Sequence, residues 1–309
     1  MRIAVIGAGG VGGYFGGKLA QAGVDTTFVV RGATLSALRA NGLRVDSIGG
    51  DFVVNPVQAT DDPSTIGPVD AVFVTVKAWQ IPEAVANIAP LLGADTVVVP
   101  LENGVEAPEQ LAEFVGAEHA VAGLCGIVSF IVAPGHIRHA GAEPFIMFGE
   151  IDNRPSERLA RLQQTLIAAG VPTTIPPDIH HSLWSKLLFI VPTSGVGAVT
   201  RVPMGVWRTM PGTRAIAESM LREIVAVATA GGVVLEPDIV PMTMSRIDGM
   251  PFDATTSMHR DLVQGRPSEL DAQLGAVVRL GAQRGVPTPV TSILYACLLP
   301  QEQISRKEN

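Results

Sequence analysis

The chain has 309 residues, 47% hydrophobic and 17% charged, with a formal net charge of −7. That length supports two domains, each burying its own core, and the composition excludes a disordered chain. The acidic balance, without clustered Lys and Arg, speaks against a nucleic-acid surface. Cys125 and Cys297 lie far apart in sequence, offer no disulfide or metal framework, and fit a reducing cytoplasm. The apolar run at residues 1–7 is too short for a secretory signal, and no stretch of eighteen apolar, charge-free residues predicts a membrane span.

In chain order, RIAVIG reads as a strand apolar on both faces and ending in glycine, as parallel strands are. VGGYFGGKLAQAG follows as a helix, DTTFVVR as a second strand and ATLSALRANG as a second helix. LRVDSI and DFVVNPVQA read as two strands joined in a hairpin at Gly49 and Gly50. DAVFVTVK and DTVVVPLENG are two further buried strands, with IPEAVANIAPLLG as the crossover helix between them. AVAGLCGIVSFIVAPG and HIRHAGAEPFIMFGE read as longer, less regular strands, followed by a helix at SERLARLQQTLIAAG and a strand at VPTTI.

Strands alternating with helices imply a doubly wound parallel sheet. Pro176 and Pro177 mark the expected hinge, and beyond them only helical stretches broken by Gly and Pro are evident. The expected fold class is therefore α/β: a Rossmann-type domain over residues 1–176 and an all-helical domain over 177–309. The last nine residues read as a frayed polar tail.

Gly7, Gly9 and Gly12 form G-x-G-x-x-G between the first strand and first helix. The first glycine permits the tight turn, the second lets a pyrophosphate approach the backbone, and the third lets helix and sheet pack closely. A ligand-free turn has the same pattern, but the strand–turn–helix context favours a dinucleotide held by residues 7–12, with Ala8, Gly10 and Val11 offering backbone beside the glycines. Small residues recur along this helix at Gly12, Gly16 and Ala20. Arg31 ends the second strand, where an NAD site has an acid to accept from the ribose 2′-hydroxyl. An arginine donates instead and suits a 2′-phosphate, so NADP(H) is the expected cofactor, the alternative being a plain surface arginine.

With TVKAWQ, LENGVE, LWSKL and SELDAQLG added to the glycine motif, the chain resembles the ketopantoate reductase (2-dehydropantoate 2-reductase) family over residues 1–300. The resemblance implies reduction of a 2-keto acid by NADPH, with ketopantoate giving pantoate for pantothenate synthesis. Lys77 follows an apolar strand and reads alone as a surface lysine; the resemblance places it near cofactor and substrate. Asn103, in an Asn-Gly pair that reads alone as a turn, is implied to contact the nicotinamide end and the substrate.

Lys186 fits a lysine snorkelling from an amphipathic helix as well as it fits catalysis. The resemblance makes it the general acid, which suits the alkoxide left when hydride reaches a ketone. Glu269, with Ser268 as the expected N-cap and Asp271 in the first turn, sits where helix starts favour acids. The resemblance has Glu269 touch the nicotinamide ribose and support substrate and lysine. It also has Ser257 bind the substrate carboxylate, while Asp261 reads as structural.

The family's asparagines four and eight residues after the lysine are replaced here by Ile190 and Ser194, and a third falls near Met204. These substitutions at the substrate face leave open a less hydroxylated 2-keto acid. Other readings are a 3-hydroxyacid or polyol-phosphate dehydrogenase, or an NADP(H)-sensing protein without turnover. The expected partner is the small keto acid alone, with no metal, nucleic acid or membrane. His136 and His139 fall three apart on a strand and make a poor metal pair. Dimers occur in the family, and the helical domain is where one is expected.

Overall fold

In the computed structural model residues 1–86 and 88–307 are described, Ala142 by its backbone alone. Position 87 of the expected crossover helix and positions 308 and 309 of the expected tail lie outside the described residues. The chain forms two compact units, Met1–Glu102 with Ala107–Ile179, and Asn103–Glu106 with His180–Asn309. The short segment Asn103–Glu106, expected in the first domain, thus belongs to the second unit.

The first unit runs β1 (Arg2–Ile6), α1 (Gly10–Gln21), β2 (Asp25–Val29), α2 (Gly32–Asn41), β3 (Leu43–Ser47), β4 (Phe52–Val54), β5 (Gln58–Thr60), β6 (Val69–Val74) and α3 (Ile81–Val85). It continues with β7 (Leu92–Pro100), α4 (Ala107–Val115), β8 (Val121–Ala133), β9 (His136–Glu150), α5 (Glu157–Ala168) and β10 (Thr173–Thr174). Five strands form a parallel sheet in the order β5-β2-β1-β6-β7. Because side chains alternate along a strand, Ile3 and Val5 join one core with Phe15, Phe28 and Leu38. Ala4 and Ile6 join the other, with Val72, Ile81 and Leu111. That is why β1 carries no polar alternation.

A second sheet, in the order β10-β9-β3-β4 with β8 also paired to β9, packs on α1. Helix α1 lies between the two sheets, and its glycines make room for both. A Cβ at Gly16 would stand 2.7 Å from the Phe28 ring, and one at Gly13 2.6 Å from Ile137.

Two expected elements differ. DFVVNPVQA is divided at Pro56 into β4 and β5, which belong to different sheets; proline has no N–H to continue a ladder. The long crossover helix shrinks to α3 and a 3₁₀ turn at Ala89–Leu91, because Pro90 cannot donate the helical bond at its position.

Among its described residues the second unit has helices and no strand: α6 (Ile179–Thr200), α7 (Met204–Trp207), α8 (Pro211–Ala230), α9 (Ile239–Asp248), α10 (Ser257–Val263), a π-turn (Asp271–Gly275), α11 (Ala276–Gln283) and α12 (Pro289–Lys307). Helix α6 is 22 residues long and apolar enough by composition to cross a membrane, but 67% of that window is buried in the protein, as in a core helix. The expected polar tail is instead the end of α12 as far as Lys307, where Glu302 is buried against Ser268.

Candidate active site

The glycine turn follows β1 at the centre of the sheet, where strand order runs β2 to one side and β6 to the other. That switch point is where open α/β sheets bind ligands, at the carboxyl ends of the strands. Gly7 has φ +94°, a conformation that strains any residue with a Cβ. Thr75, after β6, donates its hydroxyl to the Ile6 carbonyl at 2.8 Å and to the Gly7 carbonyl at 3.0 Å. A Cβ on Gly12 would fall 2.2 Å from both the Gly7 carbonyl and the Thr75 hydroxyl, so Gly12 closes helix onto turn.

At Gly9 an added Cβ would meet nothing nearer than Ile131 Cδ1, at 3.8 Å, leaving room on the ligand side. The first helical bond runs from Gly13 N to Gly9 O at 2.8 Å, and no side chain caps this helix start. The N–H groups of Gly10, Val11 and Gly12 are therefore in place for an anion. Ala8 is buried in the core and Val11 packs against it, so these two contribute backbone. The residues present fit a dinucleotide.

A wall of this site had no sequence signal. Ser129 and Ile131 of β8 stand beside Gly10 and Gly9, brought there by the pairing of β8 with β9 over α1. A cavity of about 240 Å³ lined by Arg2, Asp70, Gly93 and Asp95 opens at the opposite, amino ends of β1, β6 and β7. Strand polarity assigns function to the glycine-turn end.

Arg31 is the N-cap residue of α2, and its Nη1 lies 2.6 Å from Glu83 Oε1 of α3, with 74% and 64% of the two side chains exposed. No acid near Arg31 in sequence announces this partner; the fold supplies it from 52 positions away. The bond to Glu83 raises Arg31 above its usual range and holds the Glu83 carboxyl below its own. Lys77 caps the 3₁₀ turn Ala78–Gln80, its N–H donating to Gln80 Oε1 at 3.2 Å, and its ammonium lies 5.9 Å from the Trp79 ring centre.

In the second unit, Asn103 Nδ2 donates to Glu269 Oε2 at 2.8 Å, and Glu269 is 4% exposed. Gly104, at φ +123°, sits so close to the π-turn that a Cβ would stand 2.8 Å from the Ala272 carbonyl. Glu106 then pairs with Arg279 at 2.7 Å, and Arg279 reaches Asp271 at 2.9 Å. Burial opposes its charge, but these carboxylates hold Arg279 above its usual range. Burial and the bond to Asp271 push the Tyr295 hydroxyl up to about 12. The Asn103–Glu106 segment is thus fastened at both ends.

Lys186 and Ile190, one turn apart on α6, are both half-buried and share a face. Ser194, the next position on that face, is 1% exposed and donates to Thr256 Oγ1 at 2.9 Å. Its hydroxyl is engaged inside the unit, where it supports the N-cap of α10; Thr256 in turn accepts from His259 N. Ser257, the first residue of α10, is half-buried beside this cap. Met204 is buried.

Residues 3–153 match the family described as Ketopantoate reductase PanE/ApbA, and residues 178–302 match its C-terminal partner. The chain belongs to the ketopantoate reductase family. A 2-dehydropantoate 2-reductase from Mesorhizobium japonicum is 32% identical over 320 residues, covering 96% of each chain. An oxidoreductase from Bacillus subtilis, YkpB, is 29% identical over 96% of this chain and 98% of its own. The crystal structure of a PanE/ApbA family ketopantoate reductase from Ralstonia eutropha JMP134 superposes with a TM-score of 0.90 at 31% identity, covering 99% of this chain and 100% of that one.

As a ketopantoate reductase family member, the chain is an oxidoreductase with a Rossmann-type unit followed by a helical one. The residues singled out in the sequence divide accordingly. Gly7, Gly9, Gly12, Arg31 and Lys77 stand at the carboxyl ends of the parallel strands in the first unit. Asn103, Lys186, Ser257 and Glu269 belong to the second.

Proposed function

We propose that the protein reduces a 2-keto acid to the 2-hydroxy acid with NADPH, with 2-dehydropantoate as the first substrate to test. The observation that carries this reading is the Asn103–Glu269 hydrogen bond, which joins two motifs separated by 166 positions. When bound, NADPH supplies the hydride that goes to the carbonyl carbon. The chain's own residues do the rest. The glycine turn and the start of α1 hold the pyrophosphate, and Arg31 donates to the 2′-phosphate. Lys186 donates a hydrogen bond to the keto oxygen and then gives it the proton as charge builds there. Glu269, oriented by Asn103, accepts from the nicotinamide ribose, and Ser257 donates to the substrate carboxylate.

NADPH oxidation followed with ketopantoate tests this. Lys186→Ala is expected to lower kcat about 10²- to 10⁴-fold, the range of general acid catalysis, with NADPH binding intact. Unchanged turnover in that variant overturns the assignment. Tight NADPH binding by the unmodified protein without turnover of any keto acid would favour a sensing role instead.

A second reading concerns the substrate and rests on Ile190. It presents an alkyl group on the face of Lys186, while Ser194 is committed to Thr256. A site without those amides favours a less hydroxylated keto acid, since lost hydrogen-bond partners shift selectivity far more than a methylene does. A clear preference for ketopantoate over 2-ketoisovalerate refutes it.

A further inference from the structure

We propose that Glu302, near the end of α12, is a positioning residue for Glu269. Glu302 is 1% exposed, and its carboxylate is directed at Ser268, the residue before Glu269. Its two oxygens accept from the Ser268 N–H at 3.1 and 3.0 Å, and Oε2 also accepts from the Ser268 hydroxyl at 2.6 Å. Arg306, one turn further along α12, donates to Glu302 Oε1 at 2.7 Å and to the Ser268 carbonyl at 3.2 Å. The N–H, hydroxyl and carbonyl of Ser268 are therefore all held from one helix. The Ser268 hydroxyl oxygen also accepts from Leu270 N at 3.2 Å, so the backbone is fastened on both sides of Glu269.

A carboxylate this deeply buried, with the half-buried Arg306 as its cation, is an expensive way to dock a helix, because apolar residues of similar volume hold as well or better. What it adds is direction. With residues 268 and 270 fixed, Glu269 has only its own side-chain torsions left, and Asn103 takes its carboxylate at 2.8 Å. Glu302 thereby acts on the site through the backbone of Glu269.

The inference rests on the role given to Glu269 above, and a double-mutant cycle separates the two. In Glu302→Gln the amide nitrogen cannot accept from Ser268 or Arg306. The variant is expected to lose about 10-fold in kcat/KM, as a slightly misplaced site group does, while Glu269→Gln alone loses at least as much. Added to Glu269→Gln, the Glu302 change is expected to cost nothing further. Two readouts independent of turnover accompany the kinetics: weaker NADPH binding in a fluorescence titration, and faster amide exchange in the peptide over residues 266–272.

Should Glu302→Gln fail to fold, Ser268→Ala serves instead, removing only the hydroxyl, with the same loss of additivity expected. Equal factors in both backgrounds, or no loss at all, overturn the proposal while leaving Glu269 in place. A Glu269→Gln variant of normal kcat/KM overturns the role of Glu269 and this proposal with it.

Discussion

The amide of Asn103 lies 2.8 Å from the carboxylate of Glu269, and the glycine after Asn103 is the only residue type that lets the chain approach the π-turn so closely. Removing the donor leaves a buried carboxylate short of a partner, at a cost of about 1–3 kcal/mol. Asn103→Ala should therefore lower kcat/KM by about 5- to 150-fold if the bond is needed in the transition state. Steady-state kinetics with NADPH and ketopantoate measure it.

Arg31 and Glu83 form an exposed pair, so neither adds appreciably to folding stability. On the proposed function their charges bear on the cofactor instead. Arg31→Ala should lower kcat/KM for NADPH by at least about 10-fold, the size of one charge-assisted hydrogen bond, and leave NADH almost unaffected. Glu83, held ionised by Arg31, repels a 2′-phosphate and can accept from a 2′-hydroxyl. Glu83→Gln should therefore raise the ratio of NADPH to NADH efficiency. A ratio that stays constant in both variants refutes the pair's role in choosing the cofactor.

Gly12→Ala drives a methyl group into the Gly7 carbonyl and the Thr75 hydroxyl. The overpacking should cost about 1–3 kcal/mol and weaken NADPH binding as the turn shifts. Gly212→Ala is the control. It sits in α8 with nothing within 4 Å of the added carbon, so helix propensity should leave the protein as stable or slightly more so. Thermal unfolding of the two variants compares close approach with mere helix content.

Glu150 and Arg158 meet in a two-bonded fork, Nε to Oε1 at 2.8 Å and Nη2 to Oε2 at 2.7 Å. Burial pushes the Glu150 carboxyl up, but Arg158 and the Ser156 hydroxyl together outweigh it and hold the group below the usual range. A carboxyl depressed in the folded state stabilises above its unfolded pKa, about 4.3, and that contribution is lost as pH falls through the folded value. The melting temperature should drop on acidification below about pH 4.5, and Glu150→Gln should flatten that part of the profile.

Much of the first unit was legible because its signals are local. β1, β2, β6 and β7 are apolar strands bounded by Gly or polar residues, and Ser156 caps α5 as its position before Glu157 suggests. The glycine turn was equally plain, since its first helical bond lies within residues 9 to 13. The shortening of the crossover helix was not, because the apolar run continues past Pro90. The end of α12 was less legible, because a charged segment reads as solvated until a buried partner is known.

By itself the sequence determined the order of strands and helices, the dinucleotide turn, the two-part organisation and the family. Periodicity, turn chemistry and motif spacing act over a few residues and need no knowledge of distant contacts. Only the tertiary structure decided which side chains are spent on one another. It gave Arg31 to Glu83, Ser194 to Thr256, Asn103 to Glu269 and Glu302 to Ser268. Each pair spans between 34 and 166 positions. A hydrogen bond depends on ångström distances and on exclusion of water, and those are set by packing rather than by neighbours in the chain.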